Sequence, residues 1–182
     1  MKKAIGMVEF VTVSAGMTGA DTMLKTAEVE VVECATVCPG KYIVIISGEL
    51  SAVKASVDAA KVKNTSMVID SFVLGNPHES LFSAIYGAGR PERVEALGVL
   101  ESFSAATAIV AADAAAKTAL VDLIELRLAR GMCGKSYLLL TGSVSAVAAA
   151  IERAENEASD RGMLLDSSVI PRPDEKLWQS IL

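Results

Sequence analysis

Aromatic side chains make up only 4% of the 182 residues, and histidine occurs once, at His78. A catalytic or metal-ligating imidazole needs an oriented partner. His78 follows Pro77 at what reads as a strand end, where a capping or surface role is expected. No H-E-x-x-H or C-x-x-C pattern is present, which removes two motifs of metal and thiol chemistry. The three cysteines are an odd number and do not suggest a disulfide framework. Long hydrophobic runs are missing as well. The longest uncharged stretch, Ser136 to Ile151, is broken by Gly142 and three serines and falls short of the ~20 apolar residues a bilayer span requires. Basic residues number 17 against 22 acidic, for a net charge of −5, with no clustered basic face. The expectation is therefore no membrane span and no nucleic-acid partner. What is present is a hydrophobic content of 52% with 21% charged residues, enough for a folded core. With so few rings, that core is built from Ala, Val, Leu and Ile, which favours close backbone approach. The length allows one ordinary domain or two small ones.

The N-terminus has the outline of a secretory leader: Lys2 and Lys3, then an apolar stretch ending near Ala15-Gly16. Glu9 interrupts that stretch, and its pattern recurs as Leu97-Gly98-Val99-Leu100-Glu101. A repeated segment reads as structure, and the expected setting is cytosolic. The recurrence extends along the chain. Ala20-Asp21, Lys25, Thr26 and Ala27 return as Ala112-Asp113, Lys117, Thr118 and Ala119 at an offset of 92. Gly40-Lys41 and Gly48 return as Gly134-Lys135 and Gly142 at an offset of 94, and Asp70-Ser71 as Asp166-Ser167 at 96. Ordered blocks with small insertions mark a duplication. The halves, 1–90 and 91–182, meet near the linker-like stretch from Gly87 to Glu92.

Each half reads alike. In the first, residues 4–12 are strand-like, 15–27 helical, and 28–36 a second strand. Tyr42–Ser47 is a third strand, 51–63 a second helix, and Met67–Leu74 a fourth strand. This is the β-α-β-β-α-β order of a ferredoxin-like α/β (α+β) fold. A short helix is expected after each half, at His78–Ile85 and Asp174–Leu182. Glu9 and Glu101 sit on repeat-related strands and read as structural carboxylates, not as an acid–base pair.

Ala129 to Ser136 imitates the end of a phosphate-binding loop, but Tyr137-Leu-Leu-Leu-Thr141 follows as a strand. Phosphate binding needs a helix N-terminus there, so both Gly-Lys sites read as turns between strands. Cys34 and Cys38 lie four residues apart, followed by Pro39, like the tail of a ferredoxin cysteine run without its earlier members. One chain cannot supply four thiolates. Three copies around an axis would supply three from one cysteine each, the fourth iron taking a non-cysteine ligand such as water. Cys38, in a turn stiffened by Pro39, suits this better than Cys34, which reads as a core filler on a strand. The residues alone favour an inert loop thiol at Cys38. Cys133, beside Met132 in the second turn, has no assigned role.

Gly6-Met-Val-Glu9, Ala20-Asp21-x-x-Leu24-Lys25, the Gly-Lys turns, Val73, and Val169-Ile-Pro-Arg-Pro173 resemble the bacterial microcompartment shell domain, and the resemblance covers both halves. With Thr36-Val-Cys38-Pro39-Gly40-Lys41 and Trp178, the chain is most similar to the tandem-domain shell proteins of propanediol-utilising microcompartments. The resemblance implies a non-enzymatic, pseudohexameric homotrimer, a tile of the shell within the cytoplasm. Its central pore would be lined by Thr36, Val37, Cys38, Pro39, Gly40 and Lys41, alternating with Gly131, Met132, Cys133, Gly134 and Lys135. It further implies one 4Fe–4S cluster per trimer on Cys38, for electron transfer across the shell or delivery of a labile cluster. Lys41 would offset the cluster's charge. Lumenal or cytosolic redox proteins would be its partners. Lys25, Lys117 and Arg172 would form tile edges packing laterally on other shell proteins. Asn76 stands where that arginine would lie in the first half. A structural tile passing small solutes, and a ferredoxin-like regulatory domain binding a small ligand, are the alternatives.

Overall fold

A computed structural model of the chain describes residues 4–91 and 94–182; Lys2, Lys3 and Glu92, named above, lie outside them. The chain packs as two compact units. One comprises Met1–Pro77 with Ser104–Thr107 and Ala129–Gly134; the other comprises His78–Phe103, Ala108–Leu128 and Lys135–Leu182. The division at residues 90 and 91 is thus one of sequence repeats, and packing divides the chain differently.

In the first unit, β1 (Ala4–Phe10), α1 (Val13–Thr26), β2 (Glu30–Val37), β3 (Lys41–Gly48), α2 (Leu50–Lys63) and β4 (Val68–Gly75) follow in the expected order. The antiparallel sheet runs β2-β3-β1-β4. The apolar N-terminal stretch is its central strand, paired on both sides. Thr12 starts α1, its Oγ1 accepting the Ala15 N–H. The helix lies close to the sheet because Gly16 and Gly19 face it. A Cβ at Gly16 would sit 2.4 Å from the Tyr42 side chain, and one at Gly19 2.3 Å from the Phe10 ring. Val8, Phe10, Met23, Tyr42, Val44, Ile46, Val53 and Val57 form the core between helices and sheet.

The second unit repeats the plan with β5 (Ala96–Ser102), α4 (Ala105–Thr118), β6 (Asp122–Arg127), β7 (Ser136–Gly142), α5 (Val144–Asp160) and β8 (Leu164–Ile170). Its strand order is β6-β7-β5-β8. Even the bulges recur, at Val31/Glu33 and Leu123/Glu125 and at Glu9/Phe10 and Glu101/Ser102. The strand β7 directly follows Lys135, so no helix N-terminus is available there for phosphate. Two short helices complete this unit. α3 (Ser80–Ile85) packs on β6, and the following Gly89 abuts the Leu123 and Ile124 carbonyls so tightly that a Cβ would lie within 2.4 Å of both. α6 (Glu175–Ile181) buries Trp178 in a cluster with Leu97 and Ile124. His78 serves the start of α3: its Nδ1 lies 2.7 Å from Ser80 Oγ, and its backbone N–H donates to Asp113.

Candidate functional site: the thiol turn

The β2–β3 connection presents Cys38 at its tip. Gly40, at φ +102°, closes the turn by donating its N–H to the Val37 carbonyl at 2.9 Å. The Cys38–Pro39 peptide is cis. The segment Ala129–Gly134 lies against this turn in the first unit. The Cys38 N–H donates to the Ala129 carbonyl at 3.0 Å. Gly134, at φ +89°, approaches so closely that a Cβ there would stand 3.1 Å from the Cys38 carbonyl oxygen and 3.2 Å from Lys41 Cε. Arg130 pairs with Glu33 across the same contact. Two turns singled out separately in the sequence are therefore one structural feature. Ala129 and Cys133 hold left-handed conformations at φ +54° and +52°, unusual without glycine.

A buried carboxylate anchors this feature. Glu9 is fully buried, and its Oε1 accepts from Lys41 Nζ at 3.0 Å. Its Oε2 accepts the Ala105 N–H, the first of α4, at 3.1 Å. Beside it, Asp70 Oδ2 accepts from Ser104 Oγ at 2.5 Å and Thr107 Oγ1 at 2.8 Å, and Ser104 Oγ caps the Thr107 N–H. Within the chain the Lys41 ammonium is matched to the Glu9 carboxylate. Glu9 reads as structural from its strand, but its partners are not legible in the sequence. The available signal was a carboxylate inside an apolar strand, which must find a cation or donors.

The repeat-related pair is looser. Lys135 lies 3.9 Å from Glu101, whose side chain is 33% exposed. Glu9→Ala should thus destabilise the fold by about 3 kcal/mol, because it strands a largely buried ammonium. Glu101→Ala should cost below about 1 kcal/mol. Urea unfolding of the two variants side by side, at a dilution that keeps the chains single, checks the contrast.

The three thiols differ. Cys38 is half-buried and free, and Cys133 is exposed and free. Within one chain Cys34 is exposed on the outer strand β2, whereas its strand position suggested a core filler. An edge strand has one flank without neighbours, and a strand pattern does not say which strand is at the edge. Partial desolvation pushes the Cys34 thiol up, away from thiolate chemistry. Among the described residues, no group of three or more His, Cys, Asp or Glu could hold a metal within one chain. Lys25, Lys117 and Arg172 lie elsewhere. Lys25 and Lys117 end α1 and α4, paired to Asp21 at 2.8 Å and Asp113 at 2.6 Å. Arg172 lines an open groove of about 480 Å³ with Pro171, Pro173 and Trp178. Asn76 is left-handed, at φ +54°.

One polar cluster was not anticipated. On the second sheet the Tyr137 hydroxyl donates to Glu125 at 2.7 Å, and Arg127 pairs with Glu125 and stacks over the ring at 5.5 Å. Burial, then the Glu125 contact, pushes the Tyr137 phenol up to about 12. The folded phenol thus releases its proton later than the unfolded one, near 10. Its stabilising contribution is complete below pH 10 and is lost between pH 10 and about 12. Tyr137→Phe should flatten the stability profile in that window, and a tyrosinate absorbance titration should lose its highest step.

Comparison with known proteins decides the class. The BMC domain model matches residues 4–77 and again 96–173. The chain belongs to the BMC-domain family. The bacterial microcompartment shell protein PduT of Citrobacter freundii is 37% identical over 182 residues, covering 100% of this chain and 99% of that one. The carboxysome shell protein CcmK2 of Thermosynechococcus vestitus is 36% identical over 85 residues, 44% of this chain and 83% of its own length. The crystal structure of a microcompartment protein from Desulfitobacterium hafniense DCB superposes with a TM-score of 0.87 at 45% identity, covering 98% of this chain and 99% of that chain. This is a tandem-domain shell protein of the PduT type, and its place is a bacterial microcompartment shell. Among the described residues, no helix is long and apolar enough to cross a membrane.

Proposed function

We propose that three copies close head to tail into a pseudohexameric tile, and that the three Cys38 thiolates hold one 4Fe–4S cluster at its central pore. The observation that carries the ring is a mismatch between repeat-related positions. Met17 on α1 is 58% exposed, whereas its repeat-mate Ile109 on α4 is 0% exposed. Leu24 is exposed and its mate Ala116 is buried. Conversely, Ile43, Ile45 and Glu9 are fully buried on the first sheet, while their mates Tyr137, Leu139 and Glu101 are partly open. Duplicated sequence in unequal surroundings implies a neighbour that restores equality. The contacts that Ser104 and Ala105 make with Asp70 and Glu9 have a counterpart one repeat along. There, Thr12 and Val13 of the next copy would meet Asp166 and Glu101. Thr12 already caps α1 as Ser104 caps α4. Such a contact joins different surfaces of identical chains and closes as a ring when its rotation allows.

The donor set fits a shared cluster better than a site within one chain. Cys38 is a free thiol at a turn tip, fixed by the Ala129 and Gly134 contacts, and each copy brings one. The cluster would supply one-electron chemistry at a potential tuned by burial and hydrogen bonds to its sulfurs. The chain's residues would hold and orient it: Cys38 as ligand, and the Glu9–Lys41 pair keeping the turn in place with no net charge. Electrons would pass across the shell to redox proteins on either side, or a labile cluster would be handed through it. Lys25, Lys117 and Arg172 would pack tile edges against other shell proteins.

The test is sedimentation equilibrium followed by anaerobic reconstitution with iron and sulfide. A mass three times the 19.0 kDa chain, with one cluster per three chains by iron assay and EPR, is the expected result. A monomer or dimer would exclude the ring and favour a ligand-binding regulatory domain. A trimer that takes up no iron would leave a solute-conducting tile.

A further inference from the structure

We infer that α6 of one copy clasps the outer strand β2 of the next, a contact that rests on the ring reading but specifies a surface the ring alone does not name. The repeat-mate of α6 is α3. It lies across β6 and buries Leu81, Ala84 and Ile85. Beneath it Leu123 and Leu126 are buried in turn, at 3% and 1% exposure.

The other helix–strand pair of the duplication lacks this cover within one chain. On β2, Val31 is the mate of Leu123 and is 45% exposed, and Cys34, the mate of Leu126, is also exposed. On α6, Leu177 is the mate of Leu81 and is 38% exposed where Leu81 is fully buried. The strand is missing a helix, and the helix has an apolar residue with nowhere to go. Each is the shape its repeat-mate has when paired, since β2 and β6 share pairing register and bulge. The occupant of β2 is therefore a second copy of this chain, through Leu177. Trp178, buried on its own sheet, anchors the helix that reaches across. The clasp also accounts for a cysteine on an exposed strand. Cys34 stands where the other repeat has leucine, as a small apolar residue at a covered position.

Proximity cross-linking of the full-length chain tests the assignment. Cys38→Ser and Cys133→Ser leave Cys34 as the sole thiol, and Leu177→Cys adds a second. A short bis-maleimide should then join copies into covalent dimers and trimers on a denaturing gel. The ladder should vanish when Cys34→Ser is added and persist when the strand thiol is moved by Val31→Cys. Sedimentation of the same samples separates the failures. Trimers in solution that yield no ladder with either strand thiol overturn the clasp and leave the ring standing. Monomers in solution overturn both.

Discussion

Cys38→Ser should abolish cluster assembly, reducing iron from one cluster per three chains to background while leaving the trimer intact. Three thiolates are the ligands the ring can place around one point. A serine hydroxyl at each of three positions removes every sulfur ligand at once, so the loss is complete and not graded. The turn itself should survive. It is held by the Gly40 N–H to Val37 and the Cys38 N–H to Ala129, both backbone contacts that a hydroxyl leaves untouched. Cys133→Ser and Cys34→Ser are the informative controls. Cys133 is exposed in the adjoining turn and Cys34 lies on β2, and neither change should lower iron content appreciably. If Cys133→Ser removed the cluster and Cys38→Ser did not, the ligand would be assigned to the wrong turn.

Met17→Asp should convert the trimer to monomers at micromolar concentration. A buried methionine side chain contributes about 1.5–3 kcal/mol, and an unpaired carboxylate in an apolar contact costs several kcal/mol more. Three such contacts would occur per proposed ring, so the penalty would be repeated threefold. The isolated chain should not notice, because Met17 is exposed there. Circular dichroism and the urea midpoint measured on the monomer should therefore be near those of a wild-type chain diluted to dissociation. Leu120→Asp is the matching control. Leu120 is 96% exposed, but its repeat-mate Glu28 is exposed too, so no mismatch points to a neighbour there. Sedimentation velocity of the two variants should show dissociation for Met17→Asp and no change for Leu120→Asp.

The duplication was legible because identical blocks keep their order, and the strand and helix order followed from local patterning within each half. What did not follow shares one physical cause. Hydrophobic periodicity records which face is covered in the working assembly, not which element covers it. Met17 and Leu24 lie two turns apart on one face of α1 and are apolar, yet both are exposed in the single chain. Cys34 misled in the same way, since a strand pattern is blind to whether its neighbour belongs to the same molecule. The position of α3 on β6 was equally hidden, because a short helix after a strand carries no address. At the site, the Cys38 turn could be read from Pro39-Gly40, but its anchorage could not. Glu9 and Lys41 are 32 residues apart, and Cys38 and Ala129 are 91 apart in sequence. Only the folded register brings such pairs together. The stability contrast between Glu9 and Glu101 has the same origin: two glutamates alike in sequence, one sealed and one open.

The most direct measurement is anomalous diffraction at the iron absorption edge from crystals of anaerobically reconstituted protein. The account predicts one iron peak cluster on a threefold axis, with a Cys38 sulfur from each of three copies facing it. Three Cys38 sulfurs pointing away from that axis, or iron bound at Cys34 or Cys133 instead, would contradict it.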